Sequence, residues 1–124
     1  MLYEYDATVL AVHDGDTVTC DVDLGFKTWL RGVKFRLYGI NAPELSTDRG
    51  PAALGALAGQ IPPDGRVTLL TMPSNVTPLS PDKVEKFGRW LATVIVTKPD
   101  GTRLNLNKWM VDNGHAVPFM VGNQ

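Results

Sequence analysis

The chain has 124 residues, of which 44% are hydrophobic, and its formal net charge is −1. This length suits one core, so residues 1–124 are predicted to form a single domain. The apolar content argues against intrinsic disorder. The nearly balanced charge argues against a protein that passively tracks a long polyanion.

The sequence shows no sign of a membrane segment or of a secretory signal. No stretch approaches the roughly 18 consecutive apolar residues of a membrane helix, so no membrane partner is expected. Residues 1–6 lack both a basic and an apolar region, which predicts a cytoplasmic location, although a processed, secreted form would look the same. Cys20 is the only cysteine, which excludes an intrachain disulfide and a cysteine-based zinc site. A monomer is expected.

Hydrophobic alternation predicts three strands in the first third of the chain. They span Tyr3–Val12, Thr17–Leu24 and Val33–Ile40. Asp14–Gly15–Asp16 has the composition of a tight turn, and Lys27–Arg31 that of a hairpin tip. Three consecutive strands joined in this way predict an antiparallel meander.

A helix is predicted to begin near Pro51, with Thr47 or Asp48 as its cap, and to end before Pro62. The later predicted elements are a fourth strand (Arg66–Met72), a loop (Pro73–Pro81), a fifth strand (Phe87–Thr97), a helix capped by Asn105 and stopped by Gly114 (Leu106–Asn113), and an extended tail (Ala116–Phe119). Five strands with a helix between the third and fourth predict a mainly β fold with helices. The expected architecture is the OB-fold, a five-stranded Greek-key barrel.

The Asp14–Gly15–Asp16 turn carries two neighbouring carboxylates. Carboxylates this close repel each other unless a cation or a basic group compensates them, and hard oxygen ligands suit Ca²⁺ or Mg²⁺. The alternative is an ordinary hairpin turn. The charge distribution is compatible with a metal beside a phosphate, because residues 1–26 hold six acids and no Lys or Arg, whereas residues 27–49 hold five basic residues. Ordinary charge scatter on strands is the competing explanation.

Two arginines and one glutamate add to this pattern. Arg36 and Arg89 lie in or beside predicted strands, and guanidinium groups suit bidentate phosphate recognition. Glu44 follows a proline in a loop, where its carboxylate can orient or deprotonate a water molecule. The alternatives without a function are that Arg36 and Arg89 are ordinary surface arginines and that Glu44 is an acid at the N-terminus of a helix. Trp29 is the better candidate for stacking on a base, since Trp90 and Trp109 fit core positions.

In order and spacing these motifs resemble the staphylococcal nuclease (thermonuclease) family. The resemblance runs from Val9 to about Val117 and is carried by five segments: Asp14-Gly15-Asp16-Thr17, Arg36-Leu37, Gly39-Ile40-Asn41-Ala42-Pro43-Glu44, Gly50-Pro51-Ala52-Ala53 and Lys86-Phe87-Gly88-Arg89-Trp90-Leu91-Ala92, with a further match from Asn105-Leu106 to Asn113-Gly114-His115-Ala116. It implies an OB-fold barrel and Ca²⁺-dependent hydrolysis of phosphodiester bonds in DNA and RNA, leaving a 3′-phosphate.

The resemblance also implies roles for single residues. Asp16, Asn41 and the Ala42 carbonyl would be metal ligands, and Asp14 would hold metal-bound water. Glu44 would act as the general base or position water, and Arg36 and Arg89 would bind the phosphate and stabilise the transition state. Lys86 and Phe87 are expected, with Trp29, to contact the substrate.

Three departures from the family pattern matter. Asn41 stands where the family often has Asp, which removes one negative charge and should weaken metal binding. Phe87 replaces a tyrosine and removes a hydroxyl. The chain stops soon after Phe119, so the last helix of the best-known family member is expected to be absent or reduced.

The sequence therefore predicts a nuclease that uses Ca²⁺ or another divalent cation. The rival hypothesis is a catalytically weak or inactive OB-fold module that binds nucleic acid or protein. Five charged residues of the family pattern are present and favour the enzyme, namely Asp14, Asp16, Arg36, Glu44 and Arg89. Asn41 and the near-neutral net charge favour the binding module.

Overall fold

Five strands of the protein close into a barrel, and two helices pack against it. The computed structural model describes residues 3–71 and 89–119. Its strands are β1 (Tyr3–Asp14), β2 (Thr17–Asp23), β3 (Trp29–Leu37), β4 (Ile40–Asn41), β5 (Arg66–Thr71), β6 (Trp90–Thr97), β7 (Arg103–Asn105) and β8 (Val117–Pro118), and its helices are α1 (Gly50–Gln60) and α2 (Leu106–Asp112). In the described part of the chain, neither helix is long and apolar enough to cross a membrane.

The barrel closes between β3 and β6. The strand order β3-β2-β1-β5-β6-β7 is completed by a parallel pairing of β3 with β6, in which Phe35 lies opposite Trp90 and Leu37 opposite Ala92. The β1–β2, β2–β3, β1–β5 and β5–β6 pairings are antiparallel. With α1 between the third and fourth barrel strands, this is the architecture of the OB-fold, so the predicted fold class is confirmed.

The inner face of the barrel forms the core. The alternation predicts one face made of Val18, Cys20, Val22 and Leu24, and the first three are buried, whereas Leu24, beyond the end of β2, is 37% exposed. Ala92, Val94 and Val96 of β6 meet the buried three in the same cluster. The helices add four buried side chains to this core: Ala53, Leu57, Leu106 and Met110. Trp109 packs partly buried against the cluster, whereas Trp90, predicted as a core residue, is 38% exposed because it lies at the open end of the barrel.

Strand β3 begins four residues earlier than predicted. Arg31 and Gly32 together face Asp21 of β2, which makes a bulge that lets the pairing continue to Trp29. Gly32 has φ +64 and donates its N–H to the Asp21 carboxylate at 2.9 Å, a conformation that favours glycine. Trp29 is therefore a strand residue opposite Asp23, and the hairpin tip is Leu24–Thr28.

The helix ends were predicted with mixed success. Asn105 caps α2 by accepting a hydrogen bond from the Lys108 N–H at 3.0 Å, as predicted. The cap predicted for α1 is wrong, because Arg49 occupies that position without a side-chain cap. Thr47 instead donates its hydroxyl to the Glu44 carbonyl at 2.6 Å.

The third strand ends at Leu37 rather than at Ile40, and the chain turns before forming the short strand β4. This strand pairs with β8 in the predicted tail, with Asn41 opposite Val117. Strand β7 was not predicted. The predicted loop over Pro73–Pro81, with Met72, Phe87 and Gly88, lies outside the described residues.

Candidate phosphate and metal site

The β1–β2 turn packs tightly against the helical side of the molecule. The Asp16 N–H donates to the Asp14 carboxylate at 3.0 Å, which closes the turn. A Cβ atom at Gly15 would lie 2.6 Å from the Ala42 Cβ and 2.9 Å from the Ala53 Cβ. The glycine between the two acids therefore lets the turn approach both the loop after β4 and α1.

Asp16 is a buried carboxylate with several partners. Its residue is 6% exposed, and its carboxylate accepts hydrogen bonds from the Thr17 hydroxyl at 3.2 Å and the Ala42 N–H at 2.9 Å. Burial raises the pKa of Asp16 and the neighbouring Asp14 carboxyl raises it further, whereas the Ala42 N–H and the Arg36 guanidinium oppose the rise. The negative charge at Asp16 is thus only partly compensated.

Arg36 lies directly beside this carboxylate. Its Nη2 atom is 3.6 Å from Asp16 Oδ2 and 3.2 Å from Asn41 Oδ1. Its Nη1 atom donates to the carbonyls of Ile40 at 2.9 Å and Leu37 at 3.2 Å. The guanidinium is therefore held at the point where β3 turns into β4, with 15% of its side chain exposed.

Arg89 reaches the same place from the start of β6. Its Nη1 atom donates to the Thr17 hydroxyl at 3.0 Å, and that hydroxyl in turn donates to Asp16. Both arginines are thereby connected to one buried carboxylate, Arg36 by an ion pair and Arg89 through Thr17. The sequence predicts a local bond for the Thr17 hydroxyl at the start of a strand, but not its contact with Arg89, which lies 72 residues away.

Asn41 ends β4 and Ala42 follows it, and of the two only Ala42 is hydrogen-bonded to Asp16 directly. Asn41 is exposed and offers its amide oxygen to Arg36, while the buried Ala42 donates its N–H to Asp16. Glu44 is also exposed and lies two residues further along the same loop. In the described part of the chain, no hydrogen bond or ion pair joins the Glu44 carboxylate to Asp16 or Arg36.

Of the three predicted substrate contacts, only Trp29 lies in the described part of the chain, and it is distant from Arg36 on the same strand. Lys86 and Phe87 lie outside the described residues. Trp29 stands seven positions before Arg36 on β3, about 20 Å away along the strand. It contacts Arg31 instead, whose Cζ lies 4.8 Å from the indole ring centre.

An aromatic residue that was not predicted does adjoin the site. The ring centre of Phe119 lies 5.6 Å from the Arg36 Cζ, and the Phe119 N–H donates to the Gly39 carbonyl at 2.8 Å. The phenyl group is 42% exposed. This contact depends on the pairing of β4 with β8, which no local sequence pattern reveals.

The oxygen donors around Asp16 are of the kind that Ca²⁺ accepts, and Arg36 contacts two of them in this arrangement. Among residues 3–71 and 89–119, no group of three or more His, Cys, Asp and Glu side chains could hold a metal. The available donors are instead mixed, namely the carboxylate of Asp16, the amide of Asn41 and backbone carbonyls, which Ca²⁺ accepts. Asp16 Oδ2 and Asn41 Oδ1 already converge on one cationic nitrogen of Arg36.

The chain matches none of the protein-family models and none of the curated proteins with which it was compared. The fold is shown, and the resemblance to the staphylococcal nuclease family stays a prediction.

Proposed function

We propose that this protein is a metal-dependent nuclease that hydrolyses phosphodiester bonds of DNA, RNA or both and leaves 3′-phosphate ends. The observation that carries the proposal is the connection of both Arg36 and Arg89 to the buried carboxylate of Asp16. Two guanidinium groups held at one place suit a phosphate diester, because each can donate two parallel hydrogen bonds to its oxygens.

The residues of the site divide the work as follows. Arg36 and Arg89 bind the phosphate and stabilise the negative charge that grows on it during the reaction. Asp16, Asn41 and the Ala42 carbonyl would hold the cation, with Asp14 in support. Bound there, a divalent cation supplies Lewis-acid stabilisation of phosphate charge. Glu44, exposed at the edge of the site, orients the attacking water or accepts its proton.

The second candidate is an OB-fold module that binds nucleic acid or protein without cleaving it. It is favoured by the uncharged Asn41 and by the present use of Arg36, whose donors are directed to Ile40, Leu37 and Asn41 of the same chain. In a binding module this arginine would be a structural residue. The enzyme requires it to reach a phosphate.

A cleavage assay distinguishes the two. Single-stranded DNA and RNA are incubated with the protein in Ca²⁺ and, separately, in EDTA. We expect cleavage in Ca²⁺ only, ends that a 3′-phosphatase converts to 3′-hydroxyls, and a loss of at least about 100-fold for Glu44→Gln. Glu4→Gln, another exposed glutamate, is the matched control and should keep full activity.

Each outcome has a distinct meaning. Binding without cleavage under any metal condition would support the module and reject the nuclease. Equal cleavage by Glu44→Gln and the unchanged protein would keep the nuclease but remove Glu44 from its mechanism. An Asn41→Asp variant should bind Ca²⁺ more tightly in a calorimetric titration, because it restores a negative ligand. Unchanged affinity would place Asn41 outside the metal site.

A further inference from the structure

Large apolar side chains are exposed together at one open end of the barrel. This barrel mouth is defined by Tyr3, Leu24, Leu30 and Trp90, which line its opening and are 37–51% exposed. Phe26, in the hairpin tip beside it, is fully exposed. Exposed apolar groups clustered in this way mark an interaction site, whereas scattered ones need no explanation.

The barrel mouth contains a cavity of about 200 Å³. Its deeper walls are the apolar side chains of Val22, Val33 and Phe35. Protein cavities of about 150 Å³ with apolar linings hold a benzene molecule, so this cavity is large enough for the phenyl ring of a phenylalanine.

Phe26 is presented as a projecting group next to this cavity. The tip that carries it is closed by hydrogen bonds from the Leu24 N–H to the Thr28 carbonyl at 2.8 Å and from the Thr28 N–H to the Gly25 carbonyl at 2.9 Å. Phe26 and Lys27 have φ of 55° and 61°. Residues other than glycine rarely adopt this left-handed backbone conformation. Such strain at an exposed apolar residue suggests a function outside the core.

We propose that two copies of this chain associate through the barrel mouth, with Phe26 of one protomer in the cavity of its partner and the reverse. A two-fold interface brings one surface patch against itself, so the patch must be self-complementary. This patch is self-complementary, because it holds both the projecting ring and the cavity. Leu24, at the start of the tip, and Leu30, just after it, also line the cavity. The proposal does not depend on the nuclease activity, and it replaces the monomer expected from the sequence.

The size and charge of the surface agree with a dimer. At about 150–250 Å² for a large side chain, the exposed fractions of the five residues amount to roughly 500 Å² of apolar surface. A standard interface buries ~800 Å² per partner, of which somewhat more than half is apolar. The formal net charge of −1 leaves little overall repulsion between two copies.

Sedimentation velocity over a concentration series tests the proposal. We expect the mass to rise from 13.5 kDa toward twice this value between low micromolar and several hundred micromolar protein. Phe26→Ser should raise the dissociation constant at least tenfold. The control is Leu10→Ser, which removes an exposed apolar side chain outside the barrel mouth. It should leave the dissociation constant unchanged. Circular dichroism confirms that both variants fold.

Cross-linking tests the orientation. Copies carrying Phe26→Cys are mixed with copies carrying Leu30→Cys under mild oxidation, and disulfide-linked heterodimers should exceed those formed with Leu10→Cys. A mass that stays at 13.5 kDa at every concentration overturns the proposal. Equal weakening of the dimer by the Phe26 and Leu10 variants also overturns it. So does a protein that stays monomeric and loses affinity for single-stranded DNA with Phe26→Ser, because that result would assign the surface to nucleic acid.

Discussion

Arg36 occupies a position that matters for any cation at this site. Its Nη2 atom contacts the oxygens of Asp16 and Asn41, the two side chains predicted to hold a metal. The guanidinium thus occupies both oxygens in the present arrangement, and it must move if they are to bind a metal. A phosphate would favour that movement, because it offers the guanidinium a better partner than backbone carbonyls.

Replacing Arg36 by methionine tests this competition. Arg36→Met should bind Ca²⁺ about tenfold more tightly, equivalent to ~1.4 kcal/mol, because a competing positive charge is removed. Isothermal titration calorimetry measures the affinity, and Arg31→Met, which removes a surface arginine paired with Asp21, should not change it. Weaker binding by Arg36→Met would show that the guanidinium organises the oxygens instead of competing for them.

Cys20 is a buried residue whose titration should appear in the stability of the protein. Burial raises the pKa of its thiol from 9.0 to about 12, with a smaller contribution from Asp21. A folded pKa above the unfolded value means that the stabilisation is complete below pH 9 and is lost as the pH rises toward 12.

Chemical unfolding at pH values from about 8 to about 10 measures this loss, which has a limiting slope of ~1.4 kcal/mol per pH unit. Cys20→Val lacks the titrating group, so its free energy of unfolding should fall less steeply over the same range. Parallel pH profiles for the two proteins would contradict the prediction. The buried thiol should also react with a disulfide reagent only after unfolding.

At the scale of elements, the β1–β2 turn fits only because Gly15 has no side chain. Its position between Ala42 and Ala53 couples the turn to the loop after β4 and to α1. The same contact brings the Ala42 N–H to Asp16. The packing of three elements therefore fixes the geometry of one carboxylate.

Two glycine-to-alanine substitutions distinguish the effect of this close packing on stability from the effect of helix propensity. Gly15→Ala should lower the free energy of unfolding by ~1–3 kcal/mol, because the added methyl group overlaps Ala42 and Ala53. Gly55→Ala, in α1 with no heavy atom within 4 Å of the added Cβ, should raise it by ~0.4–1 kcal/mol. Urea denaturation measures both, and a neutral Gly15→Ala would mean that the turn can move away from α1.

At the scale of the whole molecule, Asn107 links α2 to β6 and to the turn after β3. Its amide oxygen accepts from the Val94 N–H at 3.0 Å, and its Nδ2 donates to the carbonyls of Tyr38 at 2.9 Å and Ala92 at 3.1 Å. The side chain is buried. It therefore satisfies backbone groups of β6 and of the turn after β3 that water does not reach.

Asn107→Asp keeps the shape of this residue but removes its two donors. It should lower the free energy of unfolding by ~3 kcal/mol or more, because a carboxylate would face two carbonyls in a buried site. Asn113→Asp removes a comparable donor to the Trp109 carbonyl at an exposed position, and its cost should stay within ~1 kcal/mol. Thermal unfolding of the two variants side by side makes the comparison, and equal losses would refute the role of Asn107.

Local patterns in the sequence were enough for the fold class and for much of the core. Alternation placed Val18, Cys20, Val22 and Leu24 on one face, of which all but Leu24 are buried, and Asn105 was recognised as a helix cap from its side chain and position. These features depend on residues within a few positions of each other. Strand period and the cap of α2 are local properties, so one sequence predicts them, whereas the cap of α1 and the hairpin tip were misplaced.

Contacts between distant segments were decided only by the tertiary structure. The parallel pairing of β3 with β6 and the pairing of β4 with β8 bring Arg89 to Thr17 and Phe119 to Arg36. The bulge opposite Asp21 moved Trp29 out of the hairpin tip and left Phe26 there. These pairings form only when the whole barrel closes. Closure pairs the backbone hydrogen-bonding groups of all the barrel strands together, so no single segment of the sequence predicts which strands become neighbours.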